Sequence, residues 1–184
     1  MNPHQSPRTS ERRTAGFTVV ETAVALGILG IGVACVIGTL TKMNAIAATS
    51  RNISGAYAAV MSQVDLFESL GPFNPQSNPQ QIPRDATHNP PLYDMTVGTH
   101  TIGYLDPTTN TVSNQWPIYQ YSDPNGNTIL VKGTLSIQVT DISNADAPKT
   151  YRAIVTISYD YGNHTLANGN PYTFSMSALR TSDS

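Results

Sequence analysis

The chain has 184 residues and a net charge of -2, with 10 Lys and Arg against 12 Asp and Glu. Charged residues make up 12% of it, about half the usual share of roughly 25%. Because no basic excess is present to hold phosphates, nucleic acid is not an expected partner. The single cysteine, Cys35, excludes both a disulfide within the chain and a cysteine-based zinc site.

A long apolar run begins shortly after the N-terminus. No charged residue occurs from position 22 to position 41, and a helix of about twenty residues spans roughly 30 Å, the thickness of a bilayer's hydrocarbon core. The run also lacks the polar face of an amphipathic helix. We therefore expect residues 17–41 to form a transmembrane helix, with a buried helix of a soluble domain as the alternative.

The charges that flank this run predict its orientation. Arg8, Arg12 and Arg13 precede it, and Lys42 and Arg51 follow it. Because positive charge is retained on the cytoplasmic side of a membrane, the N-terminus is expected in the cytoplasm and the rest of the chain outside.

Small residues recur within the run. Gly30, Ala34 and Gly38 are four residues apart, so on a helix they form one stripe where another backbone can approach closely. This spacing favours packing of the segment against other helices.

The N-terminal segment allows four interpretations of its processing. A secretory signal would be cut after the apolar run, near Ala47, and a lipoprotein signal would leave Cys35, in "GVAC", as the lipidated residue. A twin-arginine export signal would use Arg12 and Arg13. The fourth interpretation places the cut before the apolar run, after Gly16.

The stretch Gly16-Phe17-Thr18-Val19-Val20-Glu21 follows a short polar leader and precedes an unbroken apolar helix. In this it resembles the class III signal of type IV pilin-like proteins. The resemblance covers about residues 8–45 and implies cleavage between Gly16 and Phe17 by a prepilin peptidase, a membrane aspartyl enzyme. It further implies methylation of the new N-terminal amine on Phe17, so that residues 1–16 are a leader peptide.

Glu21 is the acid of this pattern. A lone acid at the centre of a membrane helix costs about 2.5 to 3.5 kcal/mol, and less near the helix start, where the carboxylate reaches the interface. In filaments of the family, the resemblance implies, this acid faces the N-terminal amine of a neighbouring subunit. Pairing two charges in a dry core offsets the desolvation of each. A Glu merely tolerated at the interface is the alternative.

The helix is expected to continue beyond the apolar run as an amphipathic half, residues 42–70, ended by Gly71 and Pro72. Gly38 stands near the place where related pilins carry a helix-loosening proline. The sequence therefore leaves open whether the helix is locally melted there. The apolar stripe predicted on this half consists of Ile46, Ile53, Tyr57, Val60, Val64 and Phe67.

The remaining chain divides into a proline-rich loop, residues 71–94, and a β-rich domain, residues 95–184. Strands are predicted at 95–105, 115–122, 128–140, 150–159 and 171–180. Short connections between them imply an antiparallel sheet, and the amphipathic helix half would cover its apolar face. The expected fold class is therefore α+β: a long N-terminal helix packed on a C-terminal antiparallel sheet, which is also the pilin-like architecture.

No catalytic or cofactor motif stands out in the β-rich region. Residues 123–127, "DPNGN", predict a hairpin turn on Asn125-Gly126 rather than a calcium loop. His88, His100 and His164 lack metal-ligand spacing, and each is expected at the surface or in a turn. Trp116, Tyr119 and Tyr121 are expected to pack in the sheet rather than to form a binding surface.

These features predict a structural subunit, not an enzyme. We expect a minor pilin or pseudopilin of a type IV pilus-like filament or a type II secretion machine, with no cofactor and no metal. Its expected partners are other pilin or pseudopilin subunits, the prepilin peptidase, an inner-membrane assembly platform and membrane lipids. The protein would be anchored in the inner membrane before it enters a filament. The alternative is an exported β-domain with a membrane or lipid anchor, acting as a binding protein or hydrolase.

Overall fold

The computed structural model describes residues 18–122, 125–144, 149–160 and 170–183. One long helix, α1, spans Val19–Ser69. Seven strands follow, namely β1 (Gly98–Ile102), β2 (Tyr104–Leu105), β3 (Val112–Ser113), β4 (Trp116–Ser122), β5 (Thr128–Asp141), β6 (Thr150–Tyr159) and β7 (Tyr172–Thr181). The fold class is thus α+β, as predicted.

The chain divides into two compact units between Ile46 and Ala47. In the first unit the described residues form the N-terminal part of α1, which passes through Gly38 without a break. The second unit holds the C-terminal part of α1, the segment that follows it and all seven strands.

The main sheet of the second unit is antiparallel, with the strand order β1-β5-β6-β7. The long strand β5 has two partners on the same side, since β4 pairs with residues 128–133 and β1 with residues 135–139. Four of the five predicted β segments correspond to single strands, β4 to β7, whereas the first, 95–105, is divided at Gly103 into β1 and β2. The short hairpin of β2 and β3 was not predicted, because each strand has only two residues.

The core lies between one face of this sheet and the C-terminal part of α1. Alternate residues of β5 and β6 are buried, as the sequence pattern predicts for strands with one covered face. On the helix side, Ala56, Val60 and Phe67 are completely buried, each with 0% exposed surface.

The predicted apolar stripe on this half of the helix is partly wrong. Val60, Val64 and Phe67 are buried as predicted, but Ile46, Ile53 and Tyr57 are 69%, 48% and 47% exposed. The buried face is instead completed by Asn52, Ala56, Ala59 and Gln63. The small side chain of Ala56 follows Gly55, where the helix lies very close to strand β4.

Gly55 is the point of closest approach. A Cβ atom added to it would lie 2.0 Å from the carbonyl oxygen of Ile118 in β4, far inside van der Waals contact. Only a residue without a side chain fits this contact, and the sequence pattern gave no sign of it.

We expect Gly55→Ala to lower the free energy of unfolding of the second unit by about 1 to 3 kcal/mol, the usual cost of overpacking. Denaturant unfolding of the full chain in detergent measures it. Ser54→Ala is the matched control, because Ser54 is exposed on the same turn, and we expect it to change stability by less than about 0.5 kcal/mol. A Gly55→Ala protein as stable as its parent would contradict the close contact.

Arg180 of β7 holds the C-terminal end of α1. Its Nη1 donates to the carbonyl oxygens of Phe67 and Leu70, each at 2.8 Å. Its Nη2 lies 3.2 Å from Oδ2 of Asp183, and that oxygen also accepts a hydrogen bond from the Phe73 amide at 2.8 Å. This bond, together with the nearby guanidinium, holds the pKa of Asp183 below its ordinary value. The last helix carbonyls, which lack partners within the helix, are therefore capped by a residue of the distant strand β7.

The proline-rich segment forms a loop that is held by specific contacts. Isolated bridges join Asn74 to Gln81 and Arg84 to Asp94. The phenyl ring of Phe73 is 1% exposed, and it packs edge-on against Tyr151 of β6. The loop thus contributes to the core of the second unit.

Candidate functional site

The N-terminal turn of α1 carries the one acid of the apolar run. Glu21 is exposed, and its backbone amide donates to Oγ1 of Thr18 at 3.2 Å. Thr18 directly precedes the first helical residue, so it is the N-cap and Glu21 is the third helical residue. A carboxylate at this position is favoured by the positive end of the helix dipole.

This arrangement gives Glu21 a second candidate role. Thr18 and Glu21 have the spacing of a capping box, in which the acid supports the helix start rather than a partner's charge. This role was not predicted, although the Thr-x-x-Glu pattern is visible in the sequence. The ion pairs between described residues do not include Glu21.

The part of α1 in the first unit exposes an apolar surface on all sides. Every residue from 18 to 46 is exposed. Among the residues that the structure describes, α1 alone is long and apolar enough to cross a membrane, judged by length and composition. Its most exposed large side chains are Val19, Val20, Ile28, Ile31 and Ile46.

The predicted small-residue stripe lies within this exposed surface. A Cβ atom added to Gly30 or Gly38 would meet nothing within 4 Å, and the same holds for Gly27. Gly27 precedes Gly30 by three residues, so it extends the stripe of Gly30, Ala34 and Gly38 by one turn. The stripe is therefore open to a neighbouring helix.

The hydroxyl groups of this segment are satisfied within the helix. Thr39 donates to the carbonyl of Cys35 at 2.8 Å, and Thr41 donates to the carbonyl of Ile37 at 3.0 Å. Such bonds remove the cost of placing a hydroxyl in an apolar environment. These polar residues are therefore compatible with a membrane or a helical filament core.

The predicted cleavage site lies outside the described residues. Gly16 and Phe17 both precede Thr18, where the description begins. Of the predicted site residues, the structure places Glu21, Gly30, Ala34 and Gly38 on the exposed part of α1. His164 and Asp123 also lie outside the described residues.

The histidines of the second unit take part in two carboxylate clusters. Nδ1 of His88 lies 2.8 Å from Oδ2 of Asp85, which also accepts a hydrogen bond from the Leu92 amide at 2.9 Å. The hydroxyl of Thr87 donates to Oδ1 of Asp85 at 2.6 Å. These bonds, that of Thr87 foremost, hold the pKa of Asp85 well below its ordinary value. Asp85 therefore stays charged and braces the loop.

The second cluster repeats this geometry around Asp94, which is 2% exposed. Nε of Arg84 lies 3.2 Å and Nδ1 of His100 3.5 Å from its Oδ2. The hydroxyl of Thr96 donates to its Oδ1 at 2.6 Å. The side chain of His100 is 23% exposed, so it is more enclosed than the surface position expected for it.

Neither cluster includes a serine or cysteine nucleophile. Asp85 accepts hydrogen bonds from its own loop, and Asp94 accepts them from Thr96 and faces Arg84 and His100. Within residues 18–122, 125–144, 149–160 and 170–183, no group of three or more His, Cys, Asp or Glu side chains could hold a metal ion. The two clusters are best explained as braces of the loop.

Comparison with known proteins does not identify a relative. The chain matches no protein-family model, no curated protein and no solved structure. The candidate functional site is therefore defined by its own features: the exposed apolar part of α1, its acid Glu21 and its small-residue stripe.

Proposed function

We propose that this chain is a structural subunit of a type IV pilus-like or type II secretion pseudopilus filament, acting as a minor pilin or pseudopilin. The observation that carries the proposal is the change from exposed to buried side chains along α1. One helix exposes apolar side chains on all sides up to Ile46, and from Asn52 onward buries a face against the sheet of the second unit.

The exposed part of the helix needs an apolar environment. Burial of apolar surface is worth roughly 25 cal/mol per Å², so a segment of this length strongly favours lipid or other helices over water. A filament subunit uses both in turn: lipid before assembly and neighbouring helices afterwards. The open stripe at Gly30, Ala34 and Gly38 would admit close packing in the second state.

Processing follows from the resemblance at the N-terminus. In this proposal the prepilin peptidase removes residues 1–16 and methylates Phe17. The new N-terminal amine of one subunit then pairs with Glu21 of a neighbour in the filament core. The inner-membrane assembly platform supplies the subunits, and the sheet remains on the outer side of the membrane.

The orientation can be tested with reporters fused after Ser184. We expect a reporter that works only after export to be active and a reporter that works only in the cytoplasm to be inactive, because Arg8, Arg12 and Arg13 hold the N-terminus inside. Replacing these three arginines by glutamine should reduce the export signal, with Arg51→Gln as the matched control. Activity of the cytoplasmic reporter in the unaltered chain would contradict the proposed topology.

A further inference from the structure

Within the described part of the chain, the hairpin of β4 and β5 extends beyond the other strands of the main sheet. Strands β6 and β7 end at the pair Tyr159–Tyr172, which is in register with Gly133 of β5. The hairpin continues to the pair Ser122–Thr128. Five further residues of β5 correspond to about 17 Å of strand. This projecting part is called the hairpin edge, and the structure describes residues 117–122 and 125–132 of it.

The hairpin edge points toward the end of the second unit where the chain enters. The carbonyl of Ile118 is the atom that a Cβ on Gly55 would meet. Further along β4, Nη1 of Arg51 donates to the hydroxyl of Tyr119 at 3.2 Å. From Ile118 to Tyr119, strand β4 therefore runs beside α1 in the direction from residue 55 to residue 51. The same direction along α1 leads to Ala47, the first residue of the unit.

The side chains of the hairpin edge have the chemistry of a membrane interface. Ile129 and Leu130 are 38% and 39% exposed. Tyr119 and Tyr121 are half-buried at the margin of the core and stack with ring centroids 6.3 Å apart. The guanidinium of Arg51 lies 5.8 Å from the centre of the Tyr119 ring. Tyrosines and long cations place an apolar body in lipid and a polar tip in water.

Two details favour a bilayer over a protein partner. Ile129 and Leu130 are adjacent in a strand, so they point to opposite faces, and a partner bound to one face would cover only one of them. In addition, two cations are exposed here, Lys132 on β5 and Arg51 beside Tyr119. The one acid of the hairpin sequence, Asp123, lies outside the described residues. Anionic headgroups attract such a cation-bearing surface.

We propose that the hairpin edge docks in the headgroup region of the bilayer that holds the apolar part of α1. The inference rests on the proposed membrane anchoring. Only a few residues of chain separate Ile46, the last residue of the first unit, from Arg51. An unassembled subunit would thus rest on the membrane through the hairpin edge, which would have to leave the lipid when the subunit is extracted into a filament.

The test uses the full chain in nanodiscs of phosphatidylcholine and phosphatidylglycerol, loaded at one copy per disc. Ile129→Cys in a Cys35→Ser background carries an environment-sensitive dye, and some lipids are brominated near the glycerol end of the acyl chain. Ile142→Cys is the matched control. Ile142 is 42% exposed and follows the far end of the same strand, about 43 Å away.

We expect the bromolipids to quench the dye at position 129 about three times more strongly than the dye at position 142, because interfacial side chains sit within roughly 5 to 10 Å of the acyl boundary. Equal quenching at the two positions would overturn the docking. A dye on native Cys35, with lipids brominated deep in the chain, reports the anchoring separately. If that dye is quenched while position 129 behaves as position 142, docking fails and anchoring stands. If it is not quenched, both fail.

Discussion

Glu21→Ala should be cleaved and should accumulate in the membrane, but enter the filament fraction at least about 100-fold less than the parent. Removing one partner of a buried ion pair commonly costs about 3 to 5 kcal/mol, and each 1.4 kcal/mol is a factor of ten. Membrane insertion should not suffer, because an apolar side chain is easier to bury than a carboxylate. Co-purification of tagged subunits with filaments, beside a cleavage blot, measures both steps.

Two further variants separate charge pairing from helix capping. Glu21→Gln keeps a side chain that a capping box accepts but removes the charge. Thr18→Ala removes the N-cap hydroxyl, which accepts a hydrogen bond from the Glu21 amide, but keeps the charge of Glu21. Pairing with a neighbour's amine predicts that Glu21→Gln fails in assembly and Thr18→Ala succeeds. The capping role predicts the reverse, and normal assembly of Glu21→Gln would therefore exclude the pairing role.

Arg180→Ala should destabilise the second unit by about 3 to 5 kcal/mol. The guanidinium donates to the carbonyls of Phe67 and Leu70, and hydrogen bonds to a charged group contribute about 1.5 to 3 kcal/mol each. The ion pair with Asp183 should add little to this, because the side chain of Asp183 is 49% exposed and water screens the charges. Denaturant unfolding of the full chain in detergent gives the value.

Arg152→Ala is the control for this measurement. Arg152 lies on the neighbouring strand β6, opposite Leu179, and is exposed, so its removal should change stability by less than about 0.5 kcal/mol. Arg180→Lys should fall between the two, since one ammonium cannot reproduce the fork of the guanidinium. Equal unfolding midpoints for Arg180→Ala and Arg152→Ala would show that the helix end does not depend on this cap.

The secondary structure could be predicted from local patterns. Alternation of apolar and polar residues defined β5 and β6, and the pair Gly71-Pro72 marked the end of the helix, which the structure places at Ser69. Gly126, in the predicted turn between β4 and β5, has a φ of 81°, a conformation that favours glycine. Such features depend on neighbours in sequence, so the sequence suffices to find them.

Features that depend on distant partners could not be predicted. Nothing near Gly55 in the sequence indicates the carbonyl of Ile118, and nothing near Phe67 indicates Arg180. The same reason explains the error about the buried helix face. The apolar pattern favoured Ile53 and Tyr57, but the close approach of β4 selects the smaller side chain of Ala56 beside Gly55. Apolarity alone does not report how near the opposing surface lies.

The main features of the candidate site could be predicted from the sequence. The sequence supplied Glu21 and the small-residue stripe, because an acid in an apolar run and a four-residue spacing are visible without any tertiary contact. The structure added the N-cap Thr18 and the full exposure of the segment from 18 to 46. These features support two roles for Glu21: pairing with a neighbouring subunit in assembly, and capping of its own helix.

The mass of the mature chain tests the central claim most directly. The protein is extracted from membranes of cells that contain a prepilin peptidase, and its intact mass and N-terminal peptide are measured. A pilin-like subunit should begin at Phe17 and carry one methyl group on its amine. A chain that begins at a lipidated Cys35, or after Ala47, would contradict the account, because either cut removes Glu21 from the protein.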